Sequence, residues 1–132
     1  MKFHLSIVKA TIQEKYYTES KVRGFTILAD EPENIGGTNK APSPIDLMNS
    51  ALASCTLMYL KNKAHKKNID VGEMKIKIKI TKNEDGNFNF ERELFFQNKI
   101  SDSEKEVLLN YSKYTPVTIA LGFQSSISTK IR

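Results

Sequence analysis

Apolar and polar residues alternate in short stretches over Phe3–Ile12. They do so again over Tyr16–Asp30, which closes on Gly24-Phe25-Thr26-Ile27-Leu28-Ala29-Asp30. A period of two marks a strand with one wet face, so this region predicts two or three antiparallel strands. Residues 31–43 hold Pro32, Gly36, Gly37 and Pro42 and read as a loop. The period then lengthens. Ser43 can cap a helix, Pro44 suits its first position, and Asp46 completes a capping box. Leu47, Ala51, Leu52, Cys55, Met58 and Tyr59 recur at three and four residues and make one apolar face. The helix is expected to run to about Lys67, ahead of Asn68 and Gly72, so that about 24 residues span roughly 36 Å. A helix this long exceeds what a small sheet can cover. The expected remedy is a second copy of the chain, in a homodimer built around the helix pair.

Val71–Lys82 alternates lysine with isoleucine, and Phe88, Phe90, Leu94 and Phe96 share one face of the next strand. The turn between them decides the pairing. A two-residue loop, Asp85-Gly86, would put Ile80 opposite Glu91 and mix the two faces. A three-residue loop, Asp85–Asn87, puts Ile78 opposite Leu94, Ile76 opposite Phe96 and Lys79 opposite Glu93. The three-residue loop is the expectation, with Gly86 or Asn87 left-handed. Ser101-Asp102-Ser103-Glu104 is a capping box opening a helix through about Tyr114. Pro116 breaks or restarts it, Thr115–Leu121 reads as a further short helix ended by Gly122, and Gln124–Arg132 reads as a final strand. Strands, long helix, hairpin, helices and strand make an α+β fold, expected as one domain over residues 1–132.

Composition narrows the function classes. The chain has 132 residues, 39% hydrophobic and 27% charged, with no apolar run near the roughly 20 residues of a membrane span. Its N-terminus lacks the pattern of a signal peptide. The formal charge is +5, but Lys61–Lys82 carries eight lysines against Asp70 and Glu73. The remainder is therefore nearly neutral. Four of those lysines (61, 63, 66, 67) stand where a helix ends, which suits its dipole. Lys75, Lys77 and Lys79 form the wet face of a strand. No aromatics interleave them to stack bases, so nucleic-acid binding is not expected. One cysteine excludes an intramolecular disulfide and favours a reducing, cytoplasmic location. With only His4 and His65 beside it, neither a metal site nor a Ser/His pair is expected, and both histidines read as exposed. Gly36-Gly37 matches no nucleotide-binding fingerprint, so no cofactor is expected.

Cys55 lies about three turns into the long helix. On local grounds it reads as a small packed hydrophobe, since neither a cation nor the helix N-terminus stands near it in sequence. A reactive role requires a cation brought from elsewhere in the fold.

The segment Gly37-Thr38-Asn39-Lys40-Ala41-Pro42-Ser43-Pro44-Ile45-Asp46-Leu47, running into Ala51-Leu52-Ala53-Ser54-Cys55-Thr56, resembles the signature of the OsmC/Ohr family (osmotically inducible protein C and organic hydroperoxide resistance). The order of elements agrees over the whole chain. The resemblance implies antiparallel sheets packed on a long central helix in an intertwined homodimer. It also implies a thiol-dependent peroxidase that reduces organic hydroperoxides, with an arginine supporting the thiolate and a glutamate positioning the arginine. Cys55 matches the attacking cysteine, and Arg23 is the candidate arginine. Two features depart from the pattern. Where the family often reads Cys-Pro-Val-His, this chain reads Thr115-Pro116-Val117-Thr118, so the second cysteine is missing. The glutamate's place, ten residues before the cysteine, is Ile45. Asp46 would face away from Cys55, because nine helical residues rotate by about 180°; its spacing to Ser43 makes it a capping acid.

Without a second cysteine, a sulfenate on Cys55 must meet an external thiol or over-oxidise. Three functions remain open. One is a one-cysteine peroxidase with an external thiol reductant. Another is a module that binds an apolar small molecule without turnover, through residues such as Met48, Met58, Tyr59 and Tyr114. The third is a redox sensor. The site residues expected are Cys55 and Arg23 for catalysis, with Thr115, Tyr114 and Met58 for substrate. Neither a nucleic-acid nor a membrane partner is expected.

Overall fold

The computed structural model describes residues 5–122 and 127–132. Contacts divide the chain into two compact units, residues 1–48 and 49–132, and the fold is α+β.

The first unit holds a three-stranded antiparallel sheet in the order β1 (Lys9–Ile12), β2 (Thr18–Val22), β3 (Phe25–Ala29). Val22 pairs with Phe25, so only Arg23 and Gly24 connect β2 to β3. Both have positive φ, 49° and 81°, the two-residue turn whose twist matches that of paired strands. Ile12, Phe25 and Ile27 are exposed on this sheet.

The loop after β3 is organised by Asp30, which is buried. Its carboxylate accepts from the Thr38 hydroxyl at 2.5 Å, and from the backbone N–H groups of Glu31 (2.8 Å), Lys40 (3.1 Å) and Thr38 (3.3 Å). The Thr38 hydroxyl and these backbone donors hold its pKa at about 2, against an opposing push from burial. Gly37 is needed for the same closure: a Cβ there would fall 1.9 Å from the Glu31 carbonyl oxygen. The Gly37–Lys40 segment is thus a clamp around one carboxylate. It leads directly into Ser43, where the long helix begins.

That helix, α1 (Pro44–Lys66), starts with the expected capping box. The Ser43 hydroxyl accepts from the Asp46 N–H at 3.1 Å, and Asp46 accepts from the Ser43 N–H at 3.0 Å. The buried ridge of α1 is Leu52, Thr56, Leu60 and Ala64. This corrects the expected face: Cys55 and Tyr59 sit half-buried at its edge, Ala51 is exposed, and Met58 is 67% exposed. Lys63 lies over the rings of Tyr59 (5.3 Å) and Tyr111 (5.1 Å).

The second unit adds the hairpin β4 (Met74–Lys82) and β5 (Phe88–Phe96), then α2 (Asp102–Ser112) and α3 (Pro116–Gly122). Its core is Leu60, Ala64, Ile69, Val71, Ile100 and Leu108, with Met74, Leu94, Phe96 and Tyr111 packed against it. The hairpin register is two residues from expectation. Ile78 faces Arg92, Ile76 faces Leu94, and Lys79 faces Glu91. The faces survive because the slip is even. The cause is Asn83, whose side chain accepts the Asn87 N–H at 2.9 Å while its carbonyl accepts that of Gly86 at 3.0 Å. Asn83 thereby builds a five-residue loop, with Gly86 left-handed as expected (φ 84°). The capping box at Ser101 and Glu104 forms as expected. The expected last strand does not form over residues 127–132, where no described strand pairs with them; residues 124–126 lie outside the described residues.

Candidate functional site

Three distant stretches of the second unit meet at Arg92. Strand β5 alternates inward Phe90, Arg92, Leu94 and Phe96 with outward Asn89, Glu91, Glu93 and Phe95. A guanidinium therefore occupies a position meant for an apolar side chain. Its Nη1 donates to the Thr56 hydroxyl on α1 and to the Thr118 hydroxyl on α3, each at 3.0 Å. The Thr118 hydroxyl is in turn 2.6 Å from that of Thr115. Thr56 and Thr115 are fully buried. Thr56 also donates to the Leu52 carbonyl at 2.7 Å, within its own helix.

Among the described residues no carboxylate lies within ion-pair distance of Arg92. Hydroxyls are neutral acceptors, so the positive charge is left uncompensated. Burial lowers the guanidinium's pKa, yet arginine keeps its proton at any physiological pH. A half-buried cation with spare donors therefore faces a cleft of about 260 Å³. Leu52, Phe88, Phe90, Leu121 and Gly122 line it, with Asn89 and Thr118. Lys82 stacks on Phe88, 5.7 Å from the ring centre. Among the described residues, no acidic one lines the cleft.

Cys55 is half-buried on α1. It stands between Leu52, three residues earlier in the cleft wall, and Thr56, the hydroxyl that Arg92 holds. Residues three apart on a helix are surface neighbours, so Cys55 adjoins Leu52 on α1, although Cys55 itself is not among the residues that line the cleft. The other expected site residues are scattered. Thr115 joins the cluster through Thr118. Arg23 belongs to the first unit, where it forms the β2–β3 turn and lies over the Phe25 ring at 5.4 Å. Met58 borders a different hollow, of about 730 Å³, with Leu57, Lys61 and His65. Tyr114 is 55% exposed. Asp46 is spent in the capping box, and His65 is exposed; His4 lies outside the described residues. Among the described residues, no group of three His, Cys, Asp or Glu could hold a metal ion. No helix there is long and apolar enough to cross a membrane.

Sequence reasoning missed Arg92 and Thr56. A signal existed for Arg92, which interrupts an otherwise apolar set at Phe88, Phe90, Leu94 and Phe96. Thr56 carried none, because its role depends on a partner 36 positions away.

The pattern of the family described as OsmC-like protein matches residues 37–131. Among solved structures, the fold is similar to a Psychrobacter arcticus protein named for osmotic stress induction and a detoxification response. Its TM-score is 0.76 at 22% identity, over 90% of each chain. An OsmC-like protein from Mycoplasma pneumoniae gives 0.72 at 23% identity, over 90% of this chain and 88% of the other. An organic hydroperoxide resistance protein from Legionella pneumophila gives 0.68 at 17% identity, over 92% and 91%. Among curated proteins, none matches the sequence. At these identities the solved structures establish the fold, and the matched pattern, which covers most of the residues, establishes that this chain belongs to the OsmC-like protein family.

Proposed function

We propose that this protein reduces organic hydroperoxides through Cys55, with an external thiol as reductant. The observation that supports it is the place of Cys55 on α1, one residue before Thr56, whose hydroxyl Arg92 holds, and three after Leu52 in the cleft wall. A positive charge at the cleft favours a departing alkoxide. The Cys55 thiolate attacks one peroxide oxygen. The S–O bond forms as the O–O bond breaks, and the alkoxide takes a proton and leaves as the alcohol. Cys55 is left as a sulfenic acid. A first external thiol displaces water to give a mixed disulfide. A second thiol releases Cys55 and departs as the oxidised disulfide. Thr115, where the family often has its second cysteine, cannot take part in that exchange.

The exposed Ile12, Phe25 and Ile27 of the first sheet favour a homodimer, in which a second copy covers apolar surface. Light scattering at low micromolar concentration should return twice the chain mass; a monomer removes that part of the proposal.

The activity is tested by consumption of tert-butyl hydroperoxide with dihydrolipoamide, comparing wild type with Cys55→Ser. Turnover by wild type and none by the variant is the expected result. Equal inertness of both refutes the reading and favours a second one, a binding module without turnover, which the apolar lining of the cleft supports on its own.

A further inference from the structure

The cleft beside α3 has a chemistry more specific than an apolar pocket. Its walls are two phenylalanines, two leucines and a glycine, with Asn89 and Thr118; one guanidinium faces it and, among the described residues, no carboxylate does. Nη1 of Arg92 is engaged by Thr56 and Thr118. Those two bonds fix the plane of the group, and among the described residues no hydrogen bond takes the donors of its other nitrogens, which a ligand can then use. A planar fork of N–H groups matches the two oxygens of a carboxylate. Among the described residues, the one charged group lining this cleft is positive, which disfavours cationic ligands and neutral ones that would strip water from the guanidinium without replacing it. The volume, about 260 Å³, lies just under the roughly 300–1,000 Å³ of pockets for drug-sized molecules. It suits a medium-length acyl chain.

We infer that this cleft is a binding site for medium-chain monocarboxylates such as octanoate, with the carboxylate on Arg92 and the acyl chain against Leu52, Phe88, Phe90 and Leu121. Arg92 is then the residue that sets specificity for anionic over neutral apolar molecules. The inference concerns binding and needs no chemistry at Cys55, so it stands or falls separately from peroxide reduction.

The experiment is a titration of the full-length protein with octanoate, octan-1-ol and methyl octanoate at pH 7, followed by amide chemical shifts. Octanoate is expected to bind at least roughly ten-fold tighter than either neutral analogue, the discrimination of one hydrogen bond to a charged group. The largest shifts should fall at Leu52, Phe90, Thr118 and Leu121. Arg92→Lys should keep part of the preference, and Arg92→Met should equalise the three ligands. Because Arg92 also ties α1 to α3, the comparison among ligands on the wild-type protein carries the test if the Met variant fails to fold. Equal affinity for octanoate and octan-1-ol overturns the inference. So does the absence of octanoate binding at millimolar concentration, and so do shifts confined to residues outside the cleft.

Discussion

Replacing Thr56 by valine removes one oxygen and keeps the shape. Both residues are β-branched and have similar helix propensity, so the backbone cost is small. The buried hydroxyl accepts from Arg92 at 3.0 Å and donates to the Leu52 carbonyl at 2.7 Å. The second bond matters little, because that carbonyl keeps its helical N–H partner. The first is a bond to a charged donor, worth roughly 1.5–3 kcal/mol when fully buried. Arg92 is only half-buried and keeps Thr118 as an acceptor, which places the loss near the lower end, about 1–2 kcal/mol. For a chain of this length that is a fall of about 4–8 °C in Tm. Urea denaturation of wild type, Thr56→Val, Arg92→Met and the double variant closes a double-mutant cycle. Its interaction energy should be at least about 0.5 kcal/mol, the range found for contacting residues. If the two effects add to within about 0.3 kcal/mol, or if Thr56→Val is as stable as wild type, the guanidinium is not held by α1 and the argument for the cleft's geometry fails.

Three further outcomes follow from the same structure. Asp30 titrates at about 2 when folded, below the roughly 3.9 of a free aspartate. Its contribution is therefore complete above about pH 4 and is lost as pH falls through about 2. The gap in urea midpoint between wild type and Asp30→Asn should be constant from pH 5 to 7 and shrink between pH 4 and 2; a gap independent of pH refutes the clamp. Gly37→Ala should lower Tm by several degrees, since its methyl would meet the Glu31 carbonyl oxygen, whereas Gly122→Ala, with no atom of the described residues within 4 Å of the new methyl, should change Tm little. Cys55 should gain 16 Da on treatment with one equivalent of cumene hydroperoxide, and a mixed-disulfide adduct when a small thiol is present. Mass spectrometry showing an unmodified chain in both conditions would rule out a reactive thiol.

The features legible without the fold were those set by neighbours in the chain. Ser43, Pro44 and Asp46, and likewise Ser101 and Glu104, announce helix starts because a cap joins residues three apart. The Lys/Ile and Phe/Leu alternations announce two strands and which face of each is wet, since that depends only on the period of the backbone. The family signature rests on one continuous segment, Gly37–Thr56. It identifies the fold class and Cys55, while the missing second cysteine limits the chemistry that Cys55 can complete alone.

Tertiary structure decided the rest, because the deciding interactions join residues far apart or turn on one side chain's local choice. Asn83 bonded its own turn and moved the hairpin register by two residues. Packing against the hairpin and α2 selected Leu52, Thr56, Leu60 and Ala64 as the buried ridge of α1 and left Met58 outside; periodicity alone places a stripe only to within about one residue, or 100°. A cation arrives on β5 at Thr56, the residue after Cys55, through hydrogen bonds spanning 36 and 26 positions. The amino-acid sequence determined where the thiol stands on its helix. Only the fold, by setting an arginine on the inward face of a strand whose flanking Glu91 and Glu93 face outward, with no described carboxylate in ion-pair reach, decided what charge the cleft offers a ligand.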